Sequence, residues 1–188
     1  MKEEVNIYLI RHGEAGKSWD EDPDPGLSEK GKSQAQELSK YLAEDLSRGN
    51  FNLVSSPLLR AQETAHPIRD KFNLDISIDP TFSEIPSPGI PLSERSNWLK
   101  NIFKIDHRNL EEPQAVWRGG VIQRLKSIDS DTMIFCHFMV INCVTGWLKN
   151  SNELVNFYPD NCSVTKLIND SGQISLISEG KDFLTTVQ

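Results

Sequence analysis

Positive charge is in short supply in this chain: 20 Lys and Arg stand against 27 Asp and Glu, a formal net charge of −7 over 188 residues. No basic tract offsets the deficit, which argues against nucleic acid as a partner. Long apolar runs are missing, so no segment is expected to span a bilayer, and Met1-Lys2-Glu3-Glu4 does not open a signal peptide. Cysteine is scarce. Cys136, Cys143 and Cys162 are odd in number and lack a framework spacing, which points to structural thiols, a reducing compartment and a cytoplasmic location. No Gly-x-x-x-x-Gly-Lys phosphate loop and no Gly-x-Gly-x-x-Gly dinucleotide turn occurs. A cysteine phosphatase needs Cys, five residues, then Arg; here Asn142, Lys149 and Ile168 stand at that spacing. The four histidines lack the close pairing of a metal-binding helix, so neither metal nor cofactor is expected. Asn161-Cys162-Ser163 matches a glycosylation sequon and, without secretion, is set aside as chance.

What is present alternates strands with helices. Val5 to Ile10, aliphatic and largely β-branched, predicts a buried strand that runs into Arg11-His12-Gly13-Glu14. Ala15 to Gly26, rich in Asp, Pro and Gly, predicts a loop. Ser28 is a good N-cap, and Ala35, Leu38, Leu42 and Leu46 recur at helical spacing, so one helix is expected over 29–46. Phe51–Ser55 predicts a second strand, followed by a helix with Pro57 and Arg60 in its first turn and a kink or interruption at Pro67. A third strand is expected over 74–78, then an irregular loop from Phe82 to Gly89 carrying Glu84. Helices are expected over 91–106 and 116–128, the second weakened by Gly119-Gly120. Thr132–Cys136 predicts a fourth strand ending at His137, with a helix over 139–148 behind it. Val164–Ile168 and Gln173–Ile177 flank the turn signal Asn169-Asp170-Ser171-Gly172 and predict a hairpin. The expected fold is α/β: a three-layer α/β/α sandwich around a mostly parallel mixed sheet, in a single domain over 1–188.

Several of these stretches together resemble the histidine phosphatase superfamily, also called the phosphoglycerate mutase-like family. The likeness rests on Leu9-Ile10-Arg11-His12-Gly13-Glu14, Leu27-Ser28-Glu29-Lys30-Gly31, Gln34-Ala35, Ser55-Ser56-Pro57-Leu58-Leu59-Arg60-Ala61-Gln62-Glu63-Thr64-Ala65, Glu84 and Cys136-His137. Arg-His-Gly alone is a weak signal; followed in order by the Ser-Ser-Pro-Leu-Leu-Arg run it is a strong one. The resemblance implies the same three-layer fold, with His12 as the nucleophile that takes up a phosphoryl group. The residue chemistry agrees. A neutral imidazole can attack phosphorus, and Arg11 and Arg60 offer planar forks to phosphate oxygens. His137 can donate to another oxygen, and Glu84 is the candidate general acid, with Glu14 as the alternative. Glu63 is expected to be structural, and His66, His107, Trp98 and Trp117 to be surface or packing residues.

This chain departs from the family pattern in places. Phe138 stands where many members have glycine after the second histidine, and its side chain is expected to narrow or redirect the pocket. Ala15 replaces Ser or Thr of many mutases, and Ser87-Pro88-Gly89-Ile90 replaces a Trp-Glu-Gly run. Residues 86–118 are expected to form a substrate-pocket insertion, where Arg95, Lys100, Lys104, Arg108 or Arg118 could meet a second anionic group. The expected activity is a metal-independent phosphatase acting on a small phosphorylated substrate or a phosphoprotein, through a phosphohistidine. The alternatives are a phosphoglycerate mutase-type phosphotransferase and a phosphate-binding protein without turnover.

Overall fold

A computed structural model describes residues 4–18 and 20–181. Six strands form one sheet: β1 (Val5–Arg11), β2 (Asn52–Ser55), β3 (Ile76–Ile78), β4 (Thr132–Cys136), β5 (Val164–Asp170) and β6 (Gln173–Ser178), in the order β3-β2-β4-β1-β5-β6. The pairs β1–β4, β2–β4 and β2–β3 are parallel, whereas β1–β5 and β5–β6 are antiparallel. The mixed sheet is therefore parallel on the side that carries β1 to β4, as expected from the alternating pattern. The hairpin turns through Ser171 (φ +54°) and Gly172 (φ +94°), the two left-handed residues of a type I′ connection.

Side-chain alternation divides the core into two layers. Ile7 and Leu9 of β1 point to one face with Val54, Ile134 and Cys136, against α5 (Gln114–Lys126) and α6 (Phe138–Leu148). Tyr8 and Ile10 point to the other face with Leu53, Met133 and Phe135, against α1 (Glu29–Tyr41), α2 (Ala43–Arg48) and α3 (Leu59–Phe72). β4 is buried on both faces, which is why it reads as an unbroken apolar run rather than an alternating one. Leu9 is fully buried between strands and helices, and Leu9→Ala there would cost about 2–5 kcal/mol.

Three helical expectations are corrected. The 29–46 helix is two, α1 and α2, with a loosened turn at Leu42 (ψ −2°). The apolar stripe continues across it, since Leu46 N–H still bonds the Leu42 carbonyl at 3.0 Å and Leu38, Leu42 and Leu46 share one cluster. Pro67 does not interrupt α3: Ala61, Ala65 and Ile68 are fully buried, and this packing outweighs the lost N–H. Pro57 precedes that helix, whose N-cap is Leu58, and the helix ends at Asn73 in the left-handed conformation (φ +50°). The 91–106 helix is only α4 (Arg95–Ile102), between 3-10 turns at Leu92–Glu94 and His107–Asn109, because Ile102 is its one buried residue. By contrast α5 forms through Gly119-Gly120, where Val121, Ile122 and Leu125 offset about 1 kcal/mol of lost propensity per glycine. Among the described residues no helix is long and apolar enough to cross a membrane.

A third cluster joins the 86–118 segment to the Glu84 loop and the start of α6. Trp98, Leu99, Ile102, Phe103, Leu110 and Trp117 pack on Ile85, Phe138, Met139 and Leu154. Trp117 Nε1–H donates to the Ser83 carbonyl at 3.0 Å, and the Gln114 amide to the Pro86 carbonyl at 2.7 Å. This segment thus brackets the loop that carries Glu84. Trp98 and Trp117 are packing residues there, as expected.

Candidate active site

Four parallel strands deliver their C-terminal ends to one edge. Arg11 ends β1 and His12 follows it, Ser56 and Arg60 follow β2, Glu84 follows β3, and His137 follows β4. The chain leaves β1 toward α1 on one face and leaves β4 into α6 on the other. A crevice opens where neighbouring parallel strands diverge in this way, and it is the usual ligand position in open α/β sheets. All five residues expected at the site, Arg11, His12, Arg60, Glu84 and His137, meet there.

His12 is 8% exposed. Its Nδ1–H donates to the Gly13 carbonyl at 2.7 Å, and its Nε2 accepts from Arg60 Nε–H at 3.1 Å. Its backbone is clamped as well: the N–H donates to the Cys136 carbonyl at 3.0 Å, and the carbonyl accepts from the Asn161 amide at 3.0 Å. Burial, and then the guanidiniums of Arg60 and Arg11, hold the imidazole pKa well below the ordinary histidine value. His12 is therefore a neutral ring whose proton sits on Nδ1 and whose lone pair sits on Nε2.

The His137 ring lies 5.2 Å from that of His12, tilted 57° to it. Its Nε2 is 2.7 Å from Ser56 Oγ, and burial, then Arg60, His12 and Arg11, keep it neutral also. Glu84 Oε1 accepts from the N–H groups of Ile85 at 2.9 Å and Met139 at 3.2 Å, the latter in the first turn of α6. Burial raises the Glu84 carboxyl pKa against the opposing pull of these donors, Arg60 and Arg11. Glu14 differs. It accepts from Lys30 at 2.8 Å and Ser28 at 2.9 Å, and these bonds hold it ionised with a lowered pKa.

Arg11 donates from Nη1 to the Pro159 carbonyl at 2.8 Å and lies over the Phe138 ring, 5.5 Å from its centroid. Arg60, 5% exposed, sits in the first turn of α3, whose Leu59 N–H is capped by Asp24 of the 15–27 loop at 2.8 Å. Three buried polar atoms at the site, Arg11 Nε, Arg60 Nη1 and His137 Nδ1, have no hydrogen-bond partner among the described residues. Buried polar atoms in native proteins are nearly always satisfied, so three unpartnered ones on residues of a single site suit an anion with several oxygens. Phe138 is 4% exposed; its ring, beneath the Arg11 guanidinium, stacks on Phe103 at 5.3 Å and tilts against Tyr158 at 5.6 Å, so it links Arg11 to the 86–118 segment. Of the cations in 86–118, Arg108 is spent on Asp106.

Sequence reasoning assigned no role to Ser56, Asn161 or Pro159. Ser56 lay inside the quoted Ser-Ser-Pro run, and its place directly after a core strand was the available signal. Asn161 stood in the sequon set aside as chance; its amide is engaged by His12. Glu63 is structural as expected, its carboxylate accepting the Leu27 N–H at 2.6 Å. The three cysteines are free, and burial pushes the Cys143 and Cys162 thiols up to about 12.

Fold and site together define an α/β/α protein that presents a neutral histidine pair between the half-buried Arg11 and the buried Arg60 at the carboxyl edge of its sheet. The chain belongs to the histidine phosphatase superfamily (branch 1), whose family model matches residues 7–180. Phosphoserine phosphatase 1 of Hydrogenobacter thermophilus is 38% identical over 127 residues, 62% of this chain and 56% of that protein. A phosphohistidine phosphatase SixA homolog of Haemophilus influenzae is 34% identical over 76 residues, 38% of this chain and 46% of that protein. The chain thus spans roughly half the length of the curated relatives it matches. The phosphoserine phosphatase of Entamoeba histolytica, solved with 3-phosphoglyceric acid, has the same phosphoglycerate mutase-like fold: TM-score 0.72 at 22% identity, over 94% of this chain and 97% of that one.

Proposed function

We propose that this protein hydrolyses phosphate monoesters, or phosphohistidine on a protein, through a covalent phosphohistidine on His12 and without a metal ion. The observation that carries the reading is the state of His12: a neutral ring with Nδ1–H fixed on the Gly13 carbonyl and Nε2 directed toward Arg60. The Nε2 lone pair attacks phosphorus and the bond from phosphorus to the leaving oxygen breaks. Arg11, Arg60 and His137 offset the charge on the three equatorial oxygens. Glu84 delivers a proton to the leaving oxygen. Both of its main-chain bonds fall on Oε1, so Oε2 carries that proton. In the second half a water attacks phosphorus, Glu84 takes the water's proton, the phosphorus–nitrogen bond breaks and inorganic phosphate leaves. Glu14, held ionised by Lys30, is the poorer acid.

The relatives whose names describe phosphoserine and phosphohistidine phosphatases support this class of substrate. The 86–118 segment forms the pocket's outer wall and sets which leaving group is accepted, since it packs against the Glu84 loop and Phe138. A mutase would pass the phosphoryl group to a second hydroxyl in place of water, and the short segment between Glu84 and His137 favours hydrolysis. The test is turnover of p-nitrophenyl phosphate. Activity is expected to persist in EDTA and to disappear in His12→Ala. Loss of activity with chelator and its return with Mg²⁺ or Zn²⁺ would reject the metal-independent mechanism.

A further inference from the structure

Ser56 and His137 are both fully buried, and Ser56 Oγ lies 2.7 Å from His137 Nε2. The distance alone does not say which group donates. The surroundings do. Ser56 Oγ already accepts the Leu58 N–H at 3.2 Å, and the His137 ring nitrogen is the one acceptor described within reach of the Ser56 hydroxyl proton. Were Nε2 protonated, that hydroxyl would accept twice and leave its own proton unbonded in the core, which is costly. The hydroxyl therefore donates, Nε2 accepts, and the single proton of the neutral ring resides on Nδ1. Nδ1 is the buried atom of this ring that has no partner among the described residues.

We infer that Ser56 is a positioning residue for the reaction: by donating to Nε2 it fixes His137 as the Nδ1–H tautomer and so makes that nitrogen a donor to the transferred phosphoryl oxygen. The inference rests on the phosphohistidine reading above and adds to it a source for the proton arrangement. In the other tautomer Nδ1 would present a lone pair to an anionic oxygen, turning an attraction into a repulsion. Outer partners that set a histidine tautomer commonly change activity by about 10–100-fold when removed.

The decisive measurement is the ¹⁵N spectrum of the wild-type protein with labelled histidine, with His137→Gln used to assign the His137 signals. Nδ1 of His137 should resonate as a protonated nitrogen and Nε2 as an unprotonated one. The opposite pattern overturns the inference whatever the behaviour of the Ser56 variants. In Ser56→Ala the preference for Nδ1–H should be lost, and kcat for p-nitrophenyl phosphate should fall about 10–100-fold with a smaller change in KM. Ser56→Thr, which keeps the hydroxyl, should restore both. Ser56→Ala that folds and keeps the wild-type tautomer and kcat overturns the inference. A base-stable label on His12 of the wild type separates the two readings: without it the phosphohistidine mechanism fails, and with it only the role of Ser56 is in question.

Discussion

Arg60 donates from Nε to Nε2 of His12 at 3.1 Å, so the cation that is to bind phosphate rests on the proposed nucleophile's own lone pair. Two consequences follow from one contact. The guanidinium disfavours imidazolium and keeps His12 neutral, and it stands where an incoming phosphoryl group will meet both nucleophile and charge.

The pH profile of kcat/KM should follow from two opposed shifts. His12 must be neutral, and its pKa is lowered; Glu84 must be protonated, and its pKa is raised. Activity should rise from acid as His12 loses its proton below the usual histidine range. It should fall on the alkaline side as Glu84 ionises. Glu84→Gln should abolish the alkaline limb and slow alkyl phosphates far more than p-nitrophenyl phosphate, whose leaving group needs little protonation. Equal losses on both esters would move the acid role away from Glu84.

Stability should fall with acid. His12 and His137 are neutral in the folded state and have lowered pKa values, so the unfolded chain binds more protons once pH drops below about 6.5. Their contribution is complete above that value and is lost as pH falls, with a slope of up to about 1.4 kcal/mol per pH unit for each histidine. Glu84 acts in the reverse sense: its raised pKa contributes stability below the ordinary carboxylate range, lost as pH rises through its folded value. Thermal melts between pH 7 and 5 should show a declining Tm, less steep in His137→Gln. An unchanged slope in that variant would mean that His137 is not buried neutral.

Phe138→Leu should weaken inorganic phosphate as a competitive inhibitor roughly fivefold. The ring supports the Arg11 guanidinium at 5.5 Å, and a cation–π contact of this kind is worth about 1 kcal/mol. Phe138→Tyr should restore affinity. Unaltered inhibition in Phe138→Leu would show that the Pro159 carbonyl alone fixes Arg11.

Arg11, His12, Arg60 and His137 were legible because each ends or follows a core strand or opens a helix directly after one. The apolar runs that mark β1, β2 and β4 also mark where their ends project. Glu84 was legible by its order in the chain and its confined loop, while the choice between it and Glu14 turns on the burial of Glu84 and the bond from Lys30 to Glu14, which only the fold supplies. Ser56 and Asn161 act through partners 81 and 149 residues away, and no local pattern encodes such contacts. The partners of Phe138 were illegible for a related reason: Phe103 and Tyr158, which pack on its ring, lie 35 and 20 residues away in the chain. Pro67 shows the converse, a strong local signal overruled by buried neighbours on the same helix.

The most direct test of the mechanism is a rapid mixing of enzyme with ³²P-labelled substrate, quenched in base, where phosphohistidine survives and phosphoserine does not. The account predicts base-stable, acid-labile label on the wild type and none on His12→Ala. His137→Ala should still label, more slowly by about 10²–10³-fold, because it loses a donor and keeps the nucleophile. Substantial turnover by His12→Ala in a clean preparation, or wild-type turnover with no base-stable label at any time, would contradict it.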